Sequence, residues 1–182
     1  MRKKLSGLLI ITGIILIIFV CLQYYNVNNV YTSIKKQAVS EETLKGKKEK
    51  KKVIDWNKLK AINENIVAWL YIPGTGVDYP VIKATDNDFY LSHDMYGKSS
   101  IYGSIYLDAR YYNMENINDA DNLIIYGHNM KSSAMFGSLK KYLDEEYWQS
   151  HKTIQFDTIY EKGTYIVTAV CLGKVEYQDD DV

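Results

Sequence analysis

The sequence predicts a mainly β fold, a barrel or sandwich with helical decorations, preceded by one N-terminal transmembrane helix. Three observations predict it. Short apolar runs bounded by turn residues recur from residue 66 onward. Few segments beyond residue 54 carry helical spacing. Leu5 to Leu22 is a stretch of about 18 residues with no charge, the length a membrane-spanning helix needs. With 47% hydrophobic residues in 182, the remainder supports one globular domain.

Arg2, Lys3 and Lys4 precede the uncharged run, and the bulky Phe19-Val20-Cys21-Leu22-Gln23 offers no small-x-small cleavage site. An uncleaved anchor is therefore expected over a secretory signal peptide. Three basic residues on the short side, against Lys35 and Lys36 on the other, orient the N-terminus inside and the domain outside. The predicted organisation is a cytoplasmic tail over 1–4, an anchor over 5–22, a linker over 23–54 and a domain over 55–182. Within the linker, the charge run Lys45 to Lys52 reads as a solvated segment. Contact with anionic lipid or wall polymer is its alternative role.

Asp55 can cap a helix that presents Trp56, Leu59, Ile62 and Ile66 on one face. Strands are expected around 66–72, 80–82, 104–107 and 123–126, broken by turns such as Pro73-Gly74 and Tyr102-Gly103. Ser132 or Ser133 can start a second helix with Met135 or Phe136, Leu139 and Leu143 facing inward, and Asp144 to Trp148 extends or follows it. Two further strands are expected at 153–158 and 164–172. The second is apolar on both faces, which predicts burial on both sides.

The formal net charge is zero, and beyond residue 22 there are 19 basic against 22 acidic residues. A mildly acidic domain carries no electrostatic footprint for nucleic acid. Cys21 falls in the anchor and Cys171 in a predicted strand, so no disulfide framework is expected. Seventeen tyrosines suit an extended peptide or a glycan, but they suit strand propensity equally well.

The chemistry centres on Asn122 to Met130, an apolar strand ending in Tyr126-Gly127-His128. Gly127 is expected to let the chain bend as it leaves the sheet, putting the His128 imidazole at the rim. An imidazole there suits general acid or base work, although a lone histidine is more often structural. Cys171, mid-strand among apolar neighbours, reads as a small buried hydrophobe rather than a nucleophile. Arg110 is expected to form a surface ion pair with Asp108 or Glu115. His93 and His151 lack metal-ligand spacing, no cofactor motif is present, and no Gly-x-Ser-x-Gly supports a serine hydrolase.

Several blocks occur in a family order: Ile66 to Ile72, Gly74 to Val81, Asp86 to His93, Gly103 to Asp108, Tyr126 to Met130, and Met135-Phe136. Together they resemble a class B sortase, a membrane-anchored cysteine transpeptidase of Gram-positive bacteria, over roughly residues 55 to 173. The resemblance implies a sortase β-barrel with His128 as catalytic histidine. It also implies a C-terminal sorting-signal peptide as substrate and a peptidoglycan amine as acceptor, at the outer face of the membrane. The family's cysteine lies in a Thr-Leu-x-Thr-Cys strand and its arginine on the strand after that. The 182 residues contain no such motif, and neither Cys171 nor Arg110 stands at those places. The expectation is a domain lacking its last strands, with open strand edges and no activity of its own. The alternatives are a non-catalytic membrane-anchored peptide-binding module and a disrupted gene product.

Overall fold

The β-rich half of the chain assembles into one six-stranded sheet, and helices cover its ends. The structure, a computed structural model, describes residues 2–43 and 50–173; the side chains of residues 2–8, 23, 24, 26, 27, 43, 50 and 51 fall outside that description.

Helix α1 spans Arg2–Ala38 and has two characters. Over residues 9–22 its large apolar side chains face outward, Leu16 and Ile17 at 64% and 65% exposure. Near its end, Tyr31, Ile34 and Ala38 recur three and four residues apart and are buried in the core. No helix among the described residues is long and apolar enough to cross a membrane. The uncharged run begins at Leu5, where the side chains are not described.

Within the expected linker over 23–54, the described residues 23–43 and 50–54 form helix and strand. Helix α1 runs through its first part, and strands β1 (Val39–Thr43) and β2 (Lys50–Ile54) pair as an antiparallel hairpin. The physical reason is the buried helical face of Tyr31, Ile34 and Ala38, which holds this segment on the domain. The Asp55 N–H also donates to the Ala38 carbonyl at 2.7 Å, closing the hairpin at its base. Of the lysine run, residues 45–49 lie outside the described residues, whereas Lys52 is held by Asp78 at 2.6 Å.

Helix α2 (Trp56–Ile62) starts where expected, with the Asp55 carboxylate accepting from the Lys58 N–H at 3.1 Å. Leu59 on its inner face is fully buried. The sheet follows: β3 (Ile66–Tyr71), β4 (Asp78–Lys83), β5 (Tyr106–Leu107), β6 (Ile125–Tyr126), β7 (Thr153–Thr158) and β8 (Lys162–Ile166). Their order is β6-β5-β4-β3-β7-β8, antiparallel except for the parallel β4–β5 pair. Strand β3 is central, and Ile66, Ala68 and Trp69 on it are buried together with Val81 and Ile82 of β4 and with Ile105 just ahead of β5.

Two expectations change here. A helix does not begin at Ser132 or Ser133. Ser133 and Met135 adopt left-handed φ values of 64° and 50°, and a 3-10 helix then covers Gly137–Leu143. Met135 is buried as expected, but Leu143 is 54% exposed. Helix α3 (Glu145–Ser150) follows, its N-terminus capped by Asp144 accepting from the Tyr147 N–H at 2.7 Å.

The last strand is shorter than its pattern predicts and is not buried. Strand β8 ends at Ile166, opposite Thr153, where β7 begins, and after one further bond from the Val167 N–H to the Lys152 carbonyl at 2.8 Å the backbone has no ladder to join. Tyr165 and Ile166 are 51% and 69% exposed, and Cys171 lies past the strand, also exposed. The reading of Cys171 as a buried hydrophobe is therefore corrected.

Among the described strands, β6 and β8 are the two edges, and the sheet curls without their pairing. A groove of about 460 Å³ lies along the inner face, lined by Leu70, Ile72, Ile125, Phe136, Leu139 and Phe156 among others.

Candidate active site

His128 stands two residues past β6, half-buried at the rim of the sheet, as its position in the sequence predicts. Its Nε2 lies 2.7 Å from the Leu91 carbonyl oxygen. A carbonyl only accepts, so Nε2 is the donor in this contact, and Nδ1 is the ring nitrogen left for another partner.

The carbonyl is set by the segment before it. Asp86 accepts from the Asp88 and Phe89 N–H groups at 2.9 and 2.7 Å, starting the 3-10 turn Phe89–Leu91. Those two backbone bonds hold the Asp86 carboxyl below its ordinary value. Gly103 has φ +56°, and a Cβ there would come within 2.5 Å of the Tyr90 oxygen and 2.6 Å of the Leu91 oxygen. The glycine is thus what allows this chain to approach the carbonyl that orients His128.

A second support comes from beside β6. The Tyr126 hydroxyl donates to Asp108 at 2.8 Å, and Asp108 also accepts from Arg110 Nε at 2.9 Å and from the Arg110 N–H at 3.0 Å. Asn87 Nδ2 reaches the same carboxylate at 3.3 Å, and Asn87 Oδ1 accepts from the Ala109 N–H at 2.8 Å. Asp108 is buried by exposed area, and the guanidinium and N–H of Arg110, with Tyr126, hold its carboxyl well below the usual range. Arg110 therefore makes the expected pair with Asp108. Tyr106, packed at 5.4 Å from the Tyr126 ring, is pushed up to about 12 by burial and then by Tyr126 and nearby carboxylates.

The loop after His128 folds back tightly. The Phe136 N–H donates to the His128 carbonyl at 2.9 Å, Asn129 bridges to Met135, and the Met135 N–H donates to the Tyr79 hydroxyl at 3.3 Å. Gly127 serves packing rather than bending: a Cβ there would meet Ile105 Cδ1 at 2.4 Å and the Phe136 ring at 3.0 Å. The Phe136 that packs here and the Ile125 of β6 both line the apolar groove, three residues from His128 along the chain in the case of Ile125; His128 itself is not part of its lining.

The other two histidines are structural. His93 stacks on Phe89 at 4.0 Å with Nδ1 2.8 Å from the Phe89 oxygen, bracing the same turn that delivers Leu91. His151 stacks on Tyr147 at 4.0 Å, at the end of α3. Among the described residues no hydrogen bond or ion pair joins His128 to a cysteine or to an arginine. Sequence reasoning read the Asp108–Arg110 pair but missed the Leu91 carbonyl, Tyr79 and the contacts of Asn87 and Tyr126 with Asp108. Asp86, three residues ahead of Phe89, left a readable trace as a turn-starting signal.

A sortase-domain model matches residues 70–180. Sortase B of Staphylococcus aureus is 31% identical over 166 residues, covering 87% of this chain and 67% of that protein. Sortase B of Listeria monocytogenes is 41% identical over 100 residues, covering 55% of this chain and 39% of that protein, so the match spans well under half of the Listeria enzyme. Among solved structures, sortase B of B. anthracis in complex with AAEK1 superposes with a TM-score of 0.67 at 30% identity, covering 87% of this chain and 75% of that one. A Staphylococcus aureus sortase B–substrate complex superposes with a TM-score of 0.55 at 33% identity, covering 60% of this chain and 50% of that one. With this sheet, this histidine and these relatives, the chain belongs to the sortase family, in its class B branch.

Proposed function

We propose that this chain is the histidine-bearing part of a membrane-anchored cysteine transpeptidase that takes a sorting-signal peptide as acyl donor and a peptidoglycan amine as acceptor. The observation that carries the proposal is His128, held by the Leu91 carbonyl just past the strand whose Ile125 lines the apolar groove. In the reaction, a cysteine thiol would yield its proton to the imidazole and the thiolate would attack the peptide carbonyl. The protonated imidazole would then return a proton to the departing amine, leaving a thioester for the second amine to attack. An extended apolar peptide suits the groove, and a similar sortase B solved as a complex with its substrate supports substrate binding by this fold.

Neither cysteine of the 182 residues fits the nucleophile: Cys21 lies in α1, and Cys171 is exposed beyond β8. Purified residues 26 to 182 are therefore expected to leave a sorting-signal peptide uncleaved, read by mass spectrometry with and without an amine acceptor. Cleavage that Cys171→Ala abolishes would overturn this reading. The alternatives, a non-catalytic peptide-binding module and a disrupted gene product, differ in that only the module binds the peptide.

The outward-facing apolar side chains of residues 9–22 support an anchored protein, with the domain on the outer face and the N-terminal lysines inside. Protease added to intact protoplasts is expected to digest the region from Asp55 onward. Complete protection in sealed cells would refute the orientation.

A further inference from the structure

Tyr31, on the buried face of α1, touches both the segment that sets the Leu91 carbonyl and the tyrosine that braces the loop after His128. Its hydroxyl donates to the Gly103 carbonyl at 3.1 Å, and Gly103 packs directly against the Leu91 carbonyl that accepts from His128 Nε2. Its ring meets the Tyr79 ring edge-on at 4.9 Å, and the Tyr79 hydroxyl accepts from the Met135 N–H. Met135 holds a left-handed φ of 50° that a non-glycine residue adopts only when its surroundings compensate. It faces Asn129 across the loop that returns to His128 through the Phe136 N–H. Burial raises the Tyr31 phenol far above its ordinary value, so it remains a protonated donor.

We propose that Tyr31 and Tyr79 are positioning residues through which the docked end of the N-terminal helix sets the orientation of the His128 imidazole. One arm runs from Tyr31 through Gly103 to the Leu91 carbonyl; the other runs from Tyr31 through Tyr79 to Met135 and the loop. Each step is a direct contact, so the position of α1 on the sheet and the position of the ring are linked mechanically. The functional weight of the relay rests on the reading of His128 as the reacting histidine, but its geometry does not.

The test is Tyr79→Phe and Tyr31→Phe in the full chain, each removing one hydroxyl and keeping the ring. Imidazole nitrogen resonances of His128 and amide hydrogen exchange are read together. In Tyr79→Phe, the Met135 amide is expected to exchange about tenfold faster, the worth of one hydrogen bond, and the His128 signals to move. In Tyr31→Phe, the His128 Nε2 signal is expected to move as the Leu91 arm loosens. Amides of β3 and β7 serve as the control. If they accelerate as much as Met135, the tyrosines act on global stability and the relay is overturned. Unchanged His128 signals in both variants overturn it as well. The readout needs no substrate, so a chain that fails the peptide test leaves the relay standing, and the reverse also holds.

Discussion

Replacing Asp78 with alanine is expected to destabilise the fold by about 2–3 kcal/mol, read as a lower urea midpoint at unchanged slope. Asp78 opens β4 and gathers three donors from three elements: Lys35 of α1, Lys52 of β2 at 2.6 Å, and the Trp69 indole of β3 at 2.7 Å. The partners differ in worth. The Lys35 side chain is 48% exposed and its ion pair is screened by water. Lys52 is 19% exposed and lies 3.5 Å above the Tyr71 ring, and Trp69 is buried, so both would lose a partner that water cannot fully replace. That places the effect below the figure for a fully buried pair and above that for a surface one.

The same carboxylate makes a pH prediction. Burial pushes the Asp78 carboxyl up, but the hydrogen bonds from Lys35, Lys52 and Trp69 together outweigh it, and its folded value lies below the ordinary one. A depressed folded pKa gives stability that is fully present above the unfolded value, about 3.9, and is lost as pH falls through the folded value. The wild-type chain should therefore lose part of its stability in acid below about pH 4, and Asp78→Asn should flatten that limb. Equal acid slopes in the two proteins would remove Asp78 from the account. Lys52 runs the other way, its pKa lowered because burial outweighs the help of Asp78, which is why the carboxylate cannot be removed without cost.

Gly137→Ala is expected to cost about 3 kcal/mol and to disorder the loop that carries His128. A Cβ at Gly137 would stand 2.0 Å from the Met130 oxygen and 2.9 Å from its carbonyl carbon. Both atoms are backbone, so no rotamer change relieves the clash and the two sides of the loop must separate. Separation breaks the Asn129–Met135 bridge and the Phe136-to-His128 hydrogen bond first. Gly97→Ala is the control: it has a left-handed φ of 73° but open space around it, so it carries only the conformational cost of about 1–2 kcal/mol. Denaturation of both variants, with exchange at Met135 and Phe136, separates the two causes. A Gly137→Ala protein as stable as wild type, with these amides still protected, would refute the steric argument.

The elements legible in the sequence are those whose signals are local. Asp55 ahead of a helical apolar face, the alternation of β7 and the apolar β3 each depend on residues a few positions apart. His128 was legible for another reason, the order of blocks on both sides of it that resembles the class B sortases. Its oxygen partner was not, because a backbone carbonyl leaves no mark in a sequence.

The errors have one physical source. Residues 164–172 read as a strand buried on both sides, but a strand extends only as far as its neighbour, and β7 begins at Thr153. Residues 132–143 read as an α-helix, but Met135 takes a left-handed conformation that its contacts with Asn129 and Tyr79 sustain. The polar segment after the uncharged run read as a linker, yet Tyr31, Ile34 and Ala38 find a core to bury themselves in. By itself the sequence determined the β-rich domain, the class B sortase family and the histidine at the rim, because local period and block order are carried within the chain. Tertiary structure alone decided where strands stop, which carbonyl and which tyrosines hold the imidazole, and that α1 packs on the domain. Those outcomes depend on partners 26 to 110 residues apart along the chain, such as Lys52 and Asp78, Tyr31 and Gly103, or Lys52 and Lys162, whose meeting no local pattern encodes.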